Sequence, residues 1–246
     1  MTTQAGSVME KAGMTALIRA AGNAGFEIDT GSVCVAVDAF FEGSLGFSLK
    51  REKTPDLLLV THSHWDHFDP AAVAEAAKQF GARVVCPGSA ARRLRGKIAA
   101  DAIVELEPCK GESQSASLVT AGGSSVRVTA YRTEHAQDHN SYLIEFPGLR
   151  CFHDGDNENT RMLDAGAVAG VDIMFLAPWQ GSGWPEFVER ASPRHWFLIH
   201  LTEEELDEHQ RGTYLPALCR KVPIPERIVA LRPGGSFRVG KGHEEA

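Results

Sequence analysis

The sequence predicts an α/β protein built as a four-layer αββα sandwich, in which two mixed β-sheets pack face to face and helices flank them. The predicted elements run mostly as strands, then as alternating strands and helices, and this order recurs in the second half. Sheets that pack on one face and carry helices on the other form such layers. No repeat or low-complexity linker divides the chain, so we predict one domain over residues 1–246, with loose ends at 1–14 and 240–246.

The first half of the chain supplies the elements of one sheet. Turn residues separate short predicted strands at 16–19, 25–28 and 33–37. The apolar run 56–60 predicts a buried strand, and Pro70 at the first helical position predicts a helix through Phe80. A strand at 83–86, a helix at 90–94 and a strand at 103–106 follow, and the segment 40–53 is predicted to be a loop.

The second half repeats this pattern with its own turn signals. The predicted strands lie at 117–120, 125–130, 142–146, 150–152, 171–176, 196–199 and 228–231. We predict helical sequence after Asp156 and a helix at 185–191. A further helix is predicted to begin after Thr202, with Thr202 as N-cap and Glu205 completing a capping box.

Composition and charge restrict the partners and the location. The net charge of −7 disfavours nucleic acid as a partner, because an acidic chain repels polyanions. Five widely spaced cysteines without a Cys-x-x-Cys pair argue against a disulfide framework and fit a reducing compartment. No leader-like start and no apolar run of bilayer length is present. We therefore expect a cytoplasmic protein that acts on a small molecule. Assembly into a homo-oligomer is compatible with the sequence.

Residues 60–68, Val-Thr-His-Ser-His-Trp-Asp-His-Phe, carry the strongest functional signal. His62, His64, Asp66 and His67 place three imidazoles and a carboxylate within six positions, directly after the strand at 56–60. A strand end gives a rigid base from which a turn can fold several nitrogen and oxygen ligands around one point. This density of ligands predicts a transition-metal site rather than a solvated polar loop.

Three later apolar strands also end in ligand-type residues. They lead to His135, to Asp156 and to His200, and such strand ends converge on one edge of a sheet sandwich. His139 is an alternative to His135, which is favoured because it lies nearer its strand end. Asp154 is an alternative to Asp156, which the Gly-Asp pairing favours. For His200, the alternative is a core histidine.

These segments together resemble the metallo-β-lactamase superfamily, whose signature is His-x-His-x-Asp-His after a strand. The run Asn-Ala-Gly-Phe-Glu-Ile at 23–28 resembles its opening strand, where His-Ala is commoner than Asn-Ala, and Asp38 resembles the aspartate that ends its third strand. Residues 148–156, 171–178 and 197–200 resemble later core strands, so the similarity covers roughly residues 15–235. Length, the Gly-Phe-Glu-Ile opening and spacing favour the short single-domain branch that includes ascorbate-6-phosphate lactonase-like proteins.

The resemblance implies two metal sites and a bridging ligand. One metal would be held by His62, His64 and His135 and the other by Asp66, His67 and His200, with Asp156 between them. These ligands suit zinc, and the carboxylate-rich second site also admits manganese or iron.

Two such divalent ions predict a dinuclear metal-dependent hydrolase, which uses a metal-bound hydroxide on a small ester, lactone, amide or phosphodiester. Asp66 is a candidate proton acceptor, and His139 or a metal-bound water is the candidate donor to the leaving group. Trp65 and Trp179 are candidates for the substrate rim. The alternatives are a phosphodiesterase or phospholipase-like member, and a non-hydrolytic metal-binding module on the same fold.

Overall fold

The computed structural model describes residues 15–240, so the predicted loose ends lie outside the described residues, apart from Gly240. Two seven-stranded sheets are formed by fourteen strands: β1 (Ala16–Gly22), β2 (Gly25–Asp29), β3 (Cys34–Val37), β4 (Leu57–Leu59), β5 (Arg83–Cys86), β6 (Ile103–Glu105), β7 (Ser113–Val119), β8 (Ser125–Arg132), β9 (Asn140–Phe146), β10 (Leu149–His153), β11 (Ile173–Leu176), β12 (His195–Leu198), β13 (Ile228–Ala230) and β14 (Ser236–Val239).

Five α-helices accompany the strands: α1 (Pro70–Phe80), α2 (Gly88–Leu94), α3 (Trp184–Ala191), α4 (Glu203–Gln210) and α5 (Tyr214–Leu218). In the part of the chain from 15 to 240, no helix has the length and apolar character needed to cross a membrane.

Both sheets are mixed, and each places parallel strands beside antiparallel ones. The first sheet has the order β14-β1-β2-β3-β4-β5-β6, and β3 through β6 pair in parallel. The second has the order β13-β12-β11-β10-β9-β8-β7, and β10 through β13 pair in parallel. Because parallel strands of one sheet end at the same edge, the segments that follow β10 and β12 can meet there.

The two sheets meet through an apolar layer, as the period-2 alternation of strand side chains requires. Phe26 from β2 lies 4.7 Å from Phe175 of β11, and Phe175 lies 5.1 Å from Phe197 of β12, measured between ring centroids. Helices α1 and α2 cover the outer face of the first sheet with alanine, valine and leucine side chains. On the outer face of the second sheet, Trp184 of α3 packs 5.3 Å from Trp196. The four-layer prediction is confirmed.

Helix boundaries follow the predicted capping chemistry. The side chain of Asp69 accepts hydrogen bonds from the backbone N–H groups of Ala71 and Ala72, directly before Pro70 at the first helical position. Gly81 ends α1 with φ of 65°, the left-handed conformation that glycine adopts at little cost. Thr202 and Glu205 form the predicted capping box at the start of α4.

The predicted helix after Asp156 is wrong, since only a short 3-10 turn, Thr160–Met162, forms there. The side chain of Asn157 accepts hydrogen bonds from the N–H groups of Glu134 and Asn159, at 3.3 and 3.1 Å. Such side chain to backbone bonds stabilise a turn at the expense of a helix. Helix α5 and the edge strand β14 were not predicted, and β7 begins at Ser113 instead of residue 117.

Candidate metal centre

The predicted ligands meet at one edge of the sandwich. The loop after β4 carries the four ligands of the motif, the loop between β8 and β9 carries His135, the turn after β10 carries Asp156, and His200 follows β12. Two cross-sheet hydrogen bonds fix this edge: Tyr142 Oη donates to the Val60 carbonyl at 2.8 Å, and Asn140 N donates to the Thr61 carbonyl at 2.9 Å.

Two sets of side chains form around this edge, each with its ligand atoms within 4.8 Å of one another. We call His62, His64 and His135 the first ligand group, and Asp66, His67 and His200 the second ligand group. In the first, His64 Nδ1 lies 3.1 Å from His135 Nε2. In the second, His200 Nε2 lies 3.4 Å from Asp66 Oδ2. These are the two sets that the sequence resemblance implies.

Asp156 lies between the two groups. Its Oδ2 atom is 3.1 to 3.8 Å from the Nε2 atoms of four histidines, two from each group: His62, His135, His67 and His200. The side chain is almost fully buried, so this carboxylate is shared by imidazoles rather than by solvent.

Two buried atoms at the centre have no hydrogen-bond partner among the described residues. They are His62 Nε2 and Asp156 Oδ1, both within the ligand set. An unsatisfied buried polar atom costs about 1–3 kcal/mol, and native proteins rarely keep one without a reason. A cation bound among these side chains would satisfy the lone pairs of both atoms. The residues therefore fit a metal, and imidazole with carboxylate is a donor set that suits zinc, manganese or iron.

Outer contacts set the ring orientation of two ligands. Asp38 Oδ2 accepts from His67 Nδ1 at 2.8 Å and from Thr61 Oγ1 at 2.6 Å, and Asp38 Oδ1 accepts from Thr61 N at 2.8 Å. Because the Thr61 hydroxyl donates to Asp38, it accepts from His62 Nδ1 at 3.0 Å. Both rings then turn Nε2 toward the centre, which is the nitrogen that would bind a metal once it is free of a proton.

Comparison with known proteins identifies the family. Residues 34–205, which include every predicted ligand, match the family described as the Beta-lactamase superfamily domain. The chain belongs to the metallo-β-lactamase superfamily. The fold given above is therefore that of a superfamily member, and the predicted fold class is confirmed.

Relatives of this superfamily member share most of its length. A UPF0173 metal-dependent hydrolase from Archaeoglobus fulgidus is 23% identical over 244 residues, covering 89% of this chain and 97% of the relative. One from Nitratidesulfovibrio vulgaris is 27% identical over 240 residues, covering 91% and 95%. Igni18, a novel metallo hydrolase from Ignicoccus hospitalis, shares the fold with a TM-score of 0.65 at 14% identity, covering 93% and 100%. The predicted enzyme class, a metal-dependent hydrolase, is confirmed.

The pKa values of two neighbouring imidazoles in this superfamily member, His67 and His62, are shifted in opposite directions. Burial disfavours charge on His67, but hydrogen bonds to Asp156 and Asp38 outweigh it and raise the pKa of His67 to about 10. Burial and the nearby charge of His67 lower the pKa of His62 to about 3. Burial opposes ionisation of Asp156, yet hydrogen bonds from His200 and His67 hold its pKa below the usual range. In the metal-free protein, His67 and Asp156 thus form an ion pair.

His139 lies outside both ligand groups and is completely buried. Its Nε2 accepts a hydrogen bond from the Asp156 N–H at 2.9 Å, and its Nδ1 bonds the Thr133 hydroxyl at 2.7 Å. Burial holds the pKa of His139 well below its ordinary value, so the ring is neutral. A Cβ on Gly155 would lie 2.5 Å from His139 Nε2, so the ring packs directly on this turn.

The remaining alternatives from the sequence concern Asp154 and His200. Asp154 accepts hydrogen bonds from Ser141 Oγ at 2.9 Å and Asn157 Nδ2 at 3.1 Å and belongs to neither ligand group. Burial, the largest influence, raises the pKa of Asp154 to about 7. His200 is only partly buried and faces Asp66 and Asp156, which is the environment of a ligand rather than of an apolar core.

The rim contains two aromatic side chains that the sequence singled out. Trp65 is 76% exposed although it stands inside the motif, and the Trp179 ring lies 4.9 Å from the His200 ring.

Two contacts of the ligands had no role in the sequence prediction. Glu158 Oε1 accepts from His135 Nδ1 at 2.8 Å, and Asn23 Nδ2 donates to Asp66 Oδ2 at 3.2 Å. Glu158 carries no local signal, since it falls in the segment that was predicted to be helical. Asn23 was noted only for its place in the opening strand.

Proposed function

We propose that this superfamily member is a dinuclear hydrolase of a small ester, lactone, amide or phosphodiester. The observation that carries the proposal is the position of Asp156 Oδ2, within 4 Å of imidazoles from both ligand groups. A carboxylate in that position can serve two cations at once. When bound, a pair of divalent cations supplies Lewis-acid polarisation of the substrate and a water of lowered pKa.

The first ligand group would hold one cation and the second ligand group the other, with Asp156 shared. Zinc is the proposed metal because imidazoles dominate both groups, and manganese or iron is the alternative because Asp66 and Asp156 add oxygen ligands. Each group also leaves room for substrate, since His64 is exposed and Asp66 and His200 are only partly buried.

Asp66 is the proposed proton acceptor. About a quarter of its side chain is exposed, whereas Asp156 is 4% exposed, so Asp66 is the carboxylate of the centre that can exchange a proton with solvent or substrate. It stays in place during that exchange because Asn23 Nδ2 donates to its Oδ2. Proton transfer by a carboxylate held at hydrogen-bond distance follows general acid–base catalysis.

For His139 we propose a positioning role in place of the proton donation predicted from the sequence. Its buried ring accepts the Asp156 N–H and bonds Thr133, which leaves neither nitrogen free to face a substrate. His139→Gln retains an acceptor for that N–H, so we expect it to keep most of the turnover that His139→Ala loses. Equal loss in both variants, together with loss of one limb of the pH–rate profile, would instead support proton donation.

The experiment that tests the function uses metal-free protein reloaded with zinc, manganese or iron. We expect two metals per chain and hydrolysis of at least one substrate in a panel of lactones, phosphodiesters, carboxylic esters, thioesters and amides. Hydrolysis confined to phosphodiesters would favour the phosphodiesterase alternative, and two bound metals without turnover would favour the metal-binding module. Near-zero bound metal that reloading cannot restore would overturn the proposal.

The finer sequence expectations stay predictions. They are the ascorbate-6-phosphate lactonase-like branch, the small-molecule substrate, the cytoplasmic location and an oligomeric state. The lactone arm of the substrate panel addresses the first two directly.

A further inference from the structure

Asn23 contacts all three members of the second ligand group. Its side-chain Nδ2 donates to the Asp66 carbonyl at 3.1 Å and to Asp66 Oδ2 at 3.2 Å, and it lies 3.4 Å from His67 Nε2. Its backbone carbonyl accepts from the N–H of His200 at 3.2 Å. We propose that Asn23 is a positioning residue that sets the affinity of the second ligand group for its cation, an inference that rests on the proposed function.

The chemistry of an asparagine suits this place. Asn23 stands in the turn between β1 and β2 with φ of 49°, a left-handed conformation that asparagine tolerates better than most residues. Two oxygen atoms of Asp66 face its amide, so the nitrogen is the atom turned toward them. The amide donates without adding charge, and it therefore orients the carboxylate without competing with a cation for it.

The contacts of Asn23 join three segments that are distant in the sequence. They link the β1–β2 turn of the first sheet to the motif loop and to the end of β12 in the second sheet. His200 itself has φ of 58°, an unfavourable conformation for a histidine that needs support from its surroundings. Without the amide, Asp66 would keep its chain position but lose the hydrogen bond that orients its side chain.

The first ligand group makes no hydrogen bond to Asn23 among the described residues. Its own outer contacts are Thr61, which accepts from His62 Nδ1, and the exposed Glu158, which accepts from His135 Nδ1. This difference predicts a selective effect. Loss of the Asn23 amide should weaken the second cation and leave the first unchanged, whereas loss of the Glu158 carboxylate should do the reverse. Substitution of such outer partners typically costs about 10–100-fold in metal affinity.

The test titrates the metal-free full chain with cobalt(II), followed by calorimetry and by the visible absorption of the bound ion. Asn23→Gly is the chosen variant, because glycine accepts positive φ without strain while the backbone carbonyl that bonds His200 stays. Glu158→Gln is the matched variant for the first group. His64→Ala and His200→Ala assign the two binding steps to their groups.

We expect Asn23→Gly to weaken the second-group step about 10–100-fold and to change the cobalt absorption of that step, while the first-group step stays within about twofold. Glu158→Gln should show the opposite pattern. Unchanged affinities in Asn23→Gly would overturn the inference. So would an equal loss at both steps with a lower melting temperature of the metal-free protein, which would mean a structural role only. Wild-type protein that binds fewer than two cobalt ions would instead overturn the proposed function, and this role with it.

Discussion

The two ligand groups differ in how the rest of the protein holds them. Buried or partly buried atoms from two other segments hold the second ligand group: Asp38 bonds His67, and Asn23 bonds Asp66 and His200. The first ligand group has less support. His62 bonds Thr61, the partner of His135 is the exposed Glu158, and the hydrogen-bonding neighbour of His64 is His135 itself.

Exposure, by contrast, varies within each group. His62 and His67 are fully buried, whereas Asp66, His135 and His200 are partly buried. His64 is exposed, and the neighbouring Trp65 has 76% of its surface open. A rigidly held group keeps its geometry through a reaction, and an exposed side chain allows a substrate to approach. We infer that the second ligand group is the preorganised part of the centre and that a substrate approaches beside His64.

The largest effect is expected from a substitution that removes the ligand shared by the two groups. Asp156→Ala deletes the carboxylate that lies within 4 Å of both, so bound metal should fall at both groups, and turnover should drop at least about a hundredfold. Elemental analysis and turnover measure the two losses. The exposed Asp101→Ala is the control and should change neither. Metal loss at one group alone would contradict a shared ligand.

A change at Asp38 should weaken metal binding at the second ligand group without affecting the first. Asp38→Asn keeps the volume and tolerates the φ of 45° at this position, but it turns an amide nitrogen or a neutral oxygen toward His67 Nδ1. The His67 Nδ1–H then either loses its acceptor or keeps a weaker, uncharged one, so we expect about 10–100-fold weaker metal affinity at the second group. Cobalt titration measures it. The matched Glu158→Gln protein should keep that step unchanged.

The pH dependence of metal uptake should also differ between the groups. The pKa of His67 is raised to about 10, so its ring carries an extra proton at neutral pH in the metal-free protein, and a cation must displace it. The affinity of the second group should therefore fall about tenfold for each unit that the pH falls between 9 and 7. His62, with a pKa of about 3, has no proton to release in that range. Titrations at several pH values give the slope of each step, and equal slopes would contradict the assignment.

The raised pKa of His67 acts in the opposite direction on the stability of the metal-free fold, which falls as the pH rises. Because the folded-state pKa of His67 lies above the ordinary 6.5, its contribution to the free energy of unfolding is complete below pH 6.5 and is lost as the pH rises through about 10.

The smallest effect is expected from a substitution of the exposed Trp65. Trp65→Ala removes an exposed ring that no packing requires, so the melting temperature and both metal affinities should stay unchanged. If the ring contacts substrate, KM should rise about threefold to tenfold with little change in kcat. Steady-state kinetics on the identified substrate measure it. An unchanged KM would place the substrate away from Trp65.

Local patterns in the sequence carried much of the architecture. The proline at the start of α1, the capping box of α4 and the apolar strand before His62 depend on neighbours within a few residues, and each formed as predicted. The ligands could be named for a related reason, since each follows a strand and parallel strands end at a common edge.

What only the tertiary structure decided depends on contacts across long sequence separations. Asn23 meets Asp66 over 43 positions, and Glu158 meets His135 over 23, so no local pattern could pair them. The expected helix after Asp156 failed for the same reason, because Asn157 bonds Glu134 from another loop. The sequence by itself supplied the candidate metal ligands, which the structure brings together. Packing of the two sheets decided which of those residues are held rigidly and which stay open, because burial and hydrogen-bond partners exist only once the sheets meet.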